Sequence, residues 1–210
     1  MPFRRIYTKN SEDSVGTYSF TDIATGTGYK VFYGVVLYEG STKTYALSPE
    51  AIASFRDEVS DASVTHAANT AYDVDLDIVI TKPLILKGKA FVNVPLTINV
   101  GAGATASTTC TASLYYVRGG SETQIGSTAT ATVQLNDIGA NQTEWAMFSA
   151  RIDVPTTTLK SGDTIRLNVT TSAPGNDKQV VIRIDPTNTG VTSIIKSEVL
   201  SLVVPFKIDL

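Results

Sequence analysis

From residue 71 onward the chain alternates with a period of two, and few folds can absorb that pattern. In "AYDVDLDIVIT" the apolar set is Tyr72, Val74, Leu76, Ile78 and Ile80. In "FVNVPLTINV" it is Val92, Val94, Leu96, Ile98 and Val100, opposed by Asn93, Pro95, Thr97 and Asn99. Successive side chains of a strand point to opposite faces, so each stretch reads as a strand with one face buried. Similar stretches recur at "TCTASLYYVR", "STATATVQL", "EWAMFSARIDV", "DTIRLNVTT", "QVVIRID" and "SEVLSLVVPFKI". Turn residues separate them at Arg118-Gly119-Gly120-Ser121, at Gly162-Asp163 and at Pro174-Gly175-Asn176-Asp177. About eight strands with little helix between them predict an all-β chain, an antiparallel β-sandwich of jelly-roll-like form rather than βαβ units. Pro95 has no N–H to give to a ladder, which predicts an edge position or a bulge there.

The first 70 residues read differently, and the expected division is an N-terminal arm or hairpin over 1–70 and a sandwich domain over 71–210. "YKVFYGVVLYE" followed by "GST" and "KTYAL" predicts two strands joined by a short loop. Ser48-Pro49-Glu50 has the chemistry of a helix start: a side-chain acceptor, a residue without N–H, then a carboxylate at the positive end. With Ile52, Phe55 and Val59 on one stripe, it predicts a short helix over about 49–60. Gly26-Thr27-Gly28 is followed by strand rather than helix and lacks the third glycine of a dinucleotide loop, so it reads as a turn into a strand.

Composition narrows function more than fold. The net charge is −3 with 18% charged residues, which offers no basic face to nucleic acid or to an anionic membrane. A single cysteine, Cys110, excludes an internal disulfide framework and reads as a small buried hydrophobe. "MPFRRIYTKNSED" has basic residues but no apolar run after them, so no secretory signal is expected.

Catalytic signals are sparse. The single histidine, His66, lies in a small-residue linker with no nucleophile motif near it. Asp73, Asp75 and Asp77 line one strand face about 6.5–7 Å apart and are the candidate calcium ligands. A flat row does not converge on one ion, and the alternative reading is a charged outer face that discourages edge pairing. Paired carboxylates for glycoside hydrolysis have no distinctive signature among Glu122, Asp137, Glu144, Asp153 and Asp163. Tyr115, Tyr116 and Trp145 are candidates for a glycan-stacking platform, or else packing residues. No catalytic residue and no cofactor is expected.

"YSFTDIATGTGYKVFYG", "FSARIDVPTTTLKSGDTIRLNVTT" and the closing "VLSLVVPFKIDL" resemble small β-sandwich virion structural proteins of bacteriophages and related uncultivated viruses. That resemblance implies a non-enzymatic capsid, decoration or tail-associated protein, made in a host cytoplasm and located in the virion. It implies self-association and contacts with other virion proteins. Phe32, Tyr33, Val35, Val36, Leu37 and Tyr38 are the interface candidates, because they offer more apolar surface than a lone hairpin should expose. The competing expectation is a carbohydrate-binding or receptor-binding sandwich, with a host-surface glycan as partner of the three aromatics.

Overall fold

Alternation of apolar and polar residues carries nearly all of the architecture. The computed structural model describes residues 5–8, 14–18, 27–39, 42–50, 63–65, 71–100, 105–136, 142–172, 178–184 and 199–207, and within these there is no helix. In chain order the strands are β1 (Arg5–Thr8), β2 (Ser14–Tyr18), β3 (Thr27–Glu39), β4 (Thr42–Ser48) and β5 (Ser63–Thr65). Next come β6 (Ala71–Val79), β7 (Leu84–Val100), β8 (Thr105–Arg118), β9 (Ser121–Gln124) and β10 (Ala129–Asn136). The last four are β11 (Gln142–Leu159), β12 (Thr164–Ser172), β13 (Lys178–Arg183) and β14 (Ser201–Lys207).

All of them belong to one large sheet in the order β10-β8-β12-β6-β4-β3-β14-β7-β13-β5, with β9 beside β8, β11 beside β7, and β2 and β1 beyond β3. Pairing is antiparallel except at β4–β6, where Ala46 lies opposite Asp77. The sheet is folded over so that two wings share one core. Leu76, Leu114 and Leu167 from one wing pack in the same cluster as Val92, Leu96 and Leu202 from the other. The all-β, sandwich-like class predicted from the alternation is what the structure has. Strand β12 shows the cause most simply: intermediate and buried residues alternate along its whole length.

Strands β3 and β4, from the segment expected to form an arm, run inside this sheet between β6 and β14. Gly28 shows how closely they pack, since a Cβ there would lie 2.4 Å from the Phe206 ring. Ser48 accepts a hydrogen bond from the Glu50 N–H at 3.1 Å, as a helix start requires, but the rest of the expected helix at 49–60 lies outside the described residues.

The edge position expected for Pro95 is corrected: β7 is central, paired with β11 on one side. On its other side β14 pairs up to Asn93 and β13 takes over from Leu96. Pro95 sits in the gap between those two partners, where a missing donor interrupts neither ladder.

Candidate functional site

Two stretches of outer surface concentrate the polar and aromatic chemistry. The first spans β6, β12 and β8. Asp73, Asp75 and Asp77 do share one face of β6, as alternation demands, and β12 answers them residue by residue. Arg166 donates from Nε and Nη2 to the two carboxylate oxygens of Asp77, both at 2.7 Å, and its Nη1 lies 3.0 Å from Asp75. Nη1 also bonds Glu122. Asn168 donates to Asp75 at 2.9 Å and to Asp73. These carboxylates hold the Arg166 guanidinium well above its ordinary value, with Asp77 foremost. The candidate calcium ligands are thus spread along a strand and engaged by neighbours. Among the described residues no group of three or more potential ligands converges.

Near the same end of β8, Asp163 is buried against Arg118, whose Nε and Nη2 donate to its two oxygens at 2.9 and 2.6 Å. The backbone N–H of Lys160 donates to it at 2.6 Å as well. These bonds, Arg118 first, hold the Asp163 carboxyl down at about 2. The pair staples the β11–β12 turn to β8. It is a structural clamp, because both partners are consumed by it.

The second surface lies on β11, β7 and β13, and it is built differently. The even-numbered residues of β7 from Leu86 to Ile98 other than Gly88 are buried in the core. The odd ones point outward and meet the outward residues of β11 in register: Thr97 with Trp145, Pro95 with Met147, Asn93 with Ser149, Phe91 with Arg151, Lys89 with Asp153. Trp145 is 44% exposed, Met147 41% and Phe91 41%. Arg183 reaches across from β13, donating from Nε to Thr97 Oγ1 at 3.2 Å, and its guanidinium lies 5.5 Å from the Trp145 ring centroid. That stack seals Thr97, which is buried. Ser149 Oγ donates to Asn93 Oδ1 at 2.8 Å, and Asn93 Nδ2 donates to Ser201 Oγ at 3.4 Å.

Electrostatically Arg183 is the opposite of Arg166. It is half-buried, and burial alone shifts it, downward from its ordinary value. No carboxylate among the described residues lies on it. The arrangement can recognise: an aromatic face, a cation with no counter-charge beside it among the described residues, and neutral hydroxyl and amide groups. Proton transfer is not within the reach of Ser149, since its partner is an amide oxygen, which is not a base at neutral pH.

Of the three aromatics expected to form one platform, only Trp145 lies on this surface. Tyr116 points inward and packs against the core, with the Arg118 guanidinium 5.1 Å from its ring centroid. Tyr115 lies beside Arg166 in the register of β8 and β12. Of the interface candidates, Phe32, Val35 and Val36 are buried, and Leu37 is 53% exposed. Tyr33 is half-buried, and the side chain of Tyr38 lies outside the described residues, as does His66. Sequence reasoning missed Phe91, Met147 and Arg183. The available signal was "EWAMF", in which Trp145 and Met147 fall two apart on the side opposite Phe148.

No family model and no curated protein matches the sequence. Solved structures do match in fold. A CocE/NonD family hydrolase from Staphylococcus aureus superposes on 97% of this chain at a TM-score of 0.50 with 13% identity. This chain spans only 40% of that hydrolase's length. An aminopeptidase from a Thaumarchaeota archaeon matches 84% of this chain and 36% of its own, at 10% identity and a TM-score of 0.46. Infectious bursal disease virus of the Gx strain matches 96% and 50% of the two chains at 14% identity, but at a TM-score of only 0.24. The expectation of a non-enzymatic virion protein is corrected here. The architecture that fits this chain almost end to end belongs to a hydrolase, and the viral match is too loose to set against it. The motifs behind the viral resemblance are turn and strand-end patterns, which sandwiches of unrelated function share.

Proposed function

We propose that this chain is the β-sandwich unit of an ester- or amide-hydrolysing enzyme and acts together with a catalytic unit of that enzyme. One observation carries the reading: the fold superposes over 97% of this chain on 40% of a CocE/NonD family hydrolase. A sandwich in such a setting supplies a rigid recognition surface, and the β11–β7–β13 face has the residue types for it: a tryptophan, a methionine and an arginine on stiff strands.

The test is immunodepletion of native extract with an antibody to this chain, followed by assay of p-nitrophenyl esters and aminoacyl p-nitroanilides. Hydrolysis of at least one substrate class should leave the supernatant with the chain. Activity that stays behind for every substrate would end the reading.

A further inference from the structure

We propose that the outer face of β11, β7 and β13 is the docking surface for the catalytic domain, and that this domain presents carboxylates to Arg183. The proposal rests on the reading above and names the surface through which it operates.

Three observations converge on this face. The first is the state of the arginines. Arg118 and Arg166 are each held by carboxylates at 2.6–2.9 Å and 2.7–3.0 Å, and both are shifted upward. Arg183 is half-buried with no carboxylate on it among the described residues, and its shift is downward. A partly desolvated cation is costly without a counter-charge, and a partner's carboxylate supplies one.

The second is the apolar content. Trp145, Met147 and Phe91 are each about two-fifths exposed on the same face, around Pro95 and Thr97, which are sealed beneath. Single exposed apolar residues mean little, but tryptophan, methionine and arginine grouped on a rigid surface form the usual composition of an interface centre. The face is open sheet, suited to a broad macromolecular surface.

The third is charge. This face carries Arg183, Arg151 and Lys89 against Asp153, within a chain whose net charge is −3. A second copy of the same face would set cations against cations, whereas an acidic partner surface is complementary. That comparison excludes a symmetric pairing of this face with itself, and pairing with the Asp73, Asp75, Asp77 and Glu122 row of a second copy is the alternative that light scattering tests. The rest of a hydrolase, of which this fold makes up 40%, is the partner the fold comparison offers.

The experiment uses the purified chain immobilised as wild type, Trp145→Ala, Arg183→Glu and, as a control on the opposite wing, Glu122→Gln. Native extract is passed over each, and the retained hydrolysis of p-nitrophenyl esters and aminoacyl p-nitroanilides is measured. Circular dichroism and melting curves confirm that each variant is folded. Wild type and Glu122→Gln should retain equal activity, while Trp145→Ala and Arg183→Glu should each lose roughly 30-fold, as a central interface residue does. Retention unchanged by both face variants overturns the docking surface and leaves the hydrolase reading standing. Wild type retaining no hydrolysis overturns both. Light scattering that shows a dimer dissolved by Trp145→Ala assigns the face to a second copy and overturns the proposal, as does release of Trp145-dependent binding by a polysaccharide.

Discussion

Two outer faces of one sheet use arginine in opposite ways. On the β6–β12–β8 wing, Arg166 is saturated by Asp77, Asp75 and Glu122, and Arg118 by Asp163. Each arginine there has its counter-charge within the chain, and the carboxylates of Asp73, Asp75, Asp77 and Glu122 outnumber Arg166, so the surface stays acidic. On the β11–β7–β13 wing, Arg183 is pinned by Thr97 and stacked beside Trp145, with no carboxylate on it among the described residues. The difference teaches that exposure alone does not mark a working surface. The informative feature is a fixed, half-buried cation with no carboxylate on it among the described residues.

The comparison presumes that both wings are one cooperative body, and the largest expected effect tests that. Gly126 lies where the β9–β10 connection meets β11, and a Cβ there would sit 2.1 Å from the Asp153 carbonyl oxygen, at a φ of +74°. Gly126→Ala therefore combines left-handed backbone strain with a backbone clash, and should cost about 3 kcal/mol or more. Urea unfolding followed by Trp145 fluorescence and by far-ultraviolet circular dichroism should show one coincident transition, shifted to lower urea. Two separated transitions would mean that the wings unfold independently and that their faces belong to separate units.

How far the sequence speaks for these faces follows from what period two encodes. It says which residues share a side of a strand, so the inward sets of β6 and β7 and the row Asp73, Asp75, Asp77 were legible. It does not say which strands are neighbours. Pro95 looked like an edge residue because nothing in "NVPLT" announces that two partners change over beside it. Tyr115 and Tyr116 looked like companions of Trp145, yet adjacent residues on a strand face opposite ways, and Trp145 lies on the other wing. Arg183 was unreadable for the same reason: it becomes notable only once β13 is placed beside β7 and Trp145 comes within reach. Phe32 and Val36 looked like spare apolar surface because β14, the strand that pairs with β3 on the side away from β4, comes more than 100 residues later in the chain.

A smaller effect sharpens the contrast between the arginines directly. Arg166→Met leaves Asp75, Asp77 and Glu122 facing one another without their cation, and the loss should be about 1–2 kcal/mol for a partly exposed network. Arg183→Met removes a half-buried cation that has no carboxylate on it among the described residues, while keeping an apolar stem against Trp145. The lost bond to buried Thr97 is offset by removal of the half-buried cation, so the net effect on stability should lie within about 1 kcal/mol of zero. Denaturant midpoints of the two variants, measured side by side, decide it. Equal losses would show that Arg183 is as structural as Arg166 and would remove the asymmetry on which the docking surface rests.

The smallest expected effect is acid lability confined to the wing with closed ion pairs. Asp163 has a folded value of about 2 against an ordinary 3.8, depressed chiefly by its bonds from Arg118 and then by the Lys160 N–H. A depressed carboxyl contributes stability that is fully present above its unfolded value and is lost as pH falls through its folded value. The window therefore runs from about pH 4 down to about pH 2. Melting temperature should fall through that window in the wild type, and the fall should be shallower in Arg118→Met, which starts from a lower plateau at pH 7. In Arg183→Met the acid slope should match the wild type, since no carboxylate among the described residues is tied to that side chain. A flattened slope in Arg183→Met would reveal an acidic partner for it within the chain itself, and the two faces would then differ in degree rather than in kind.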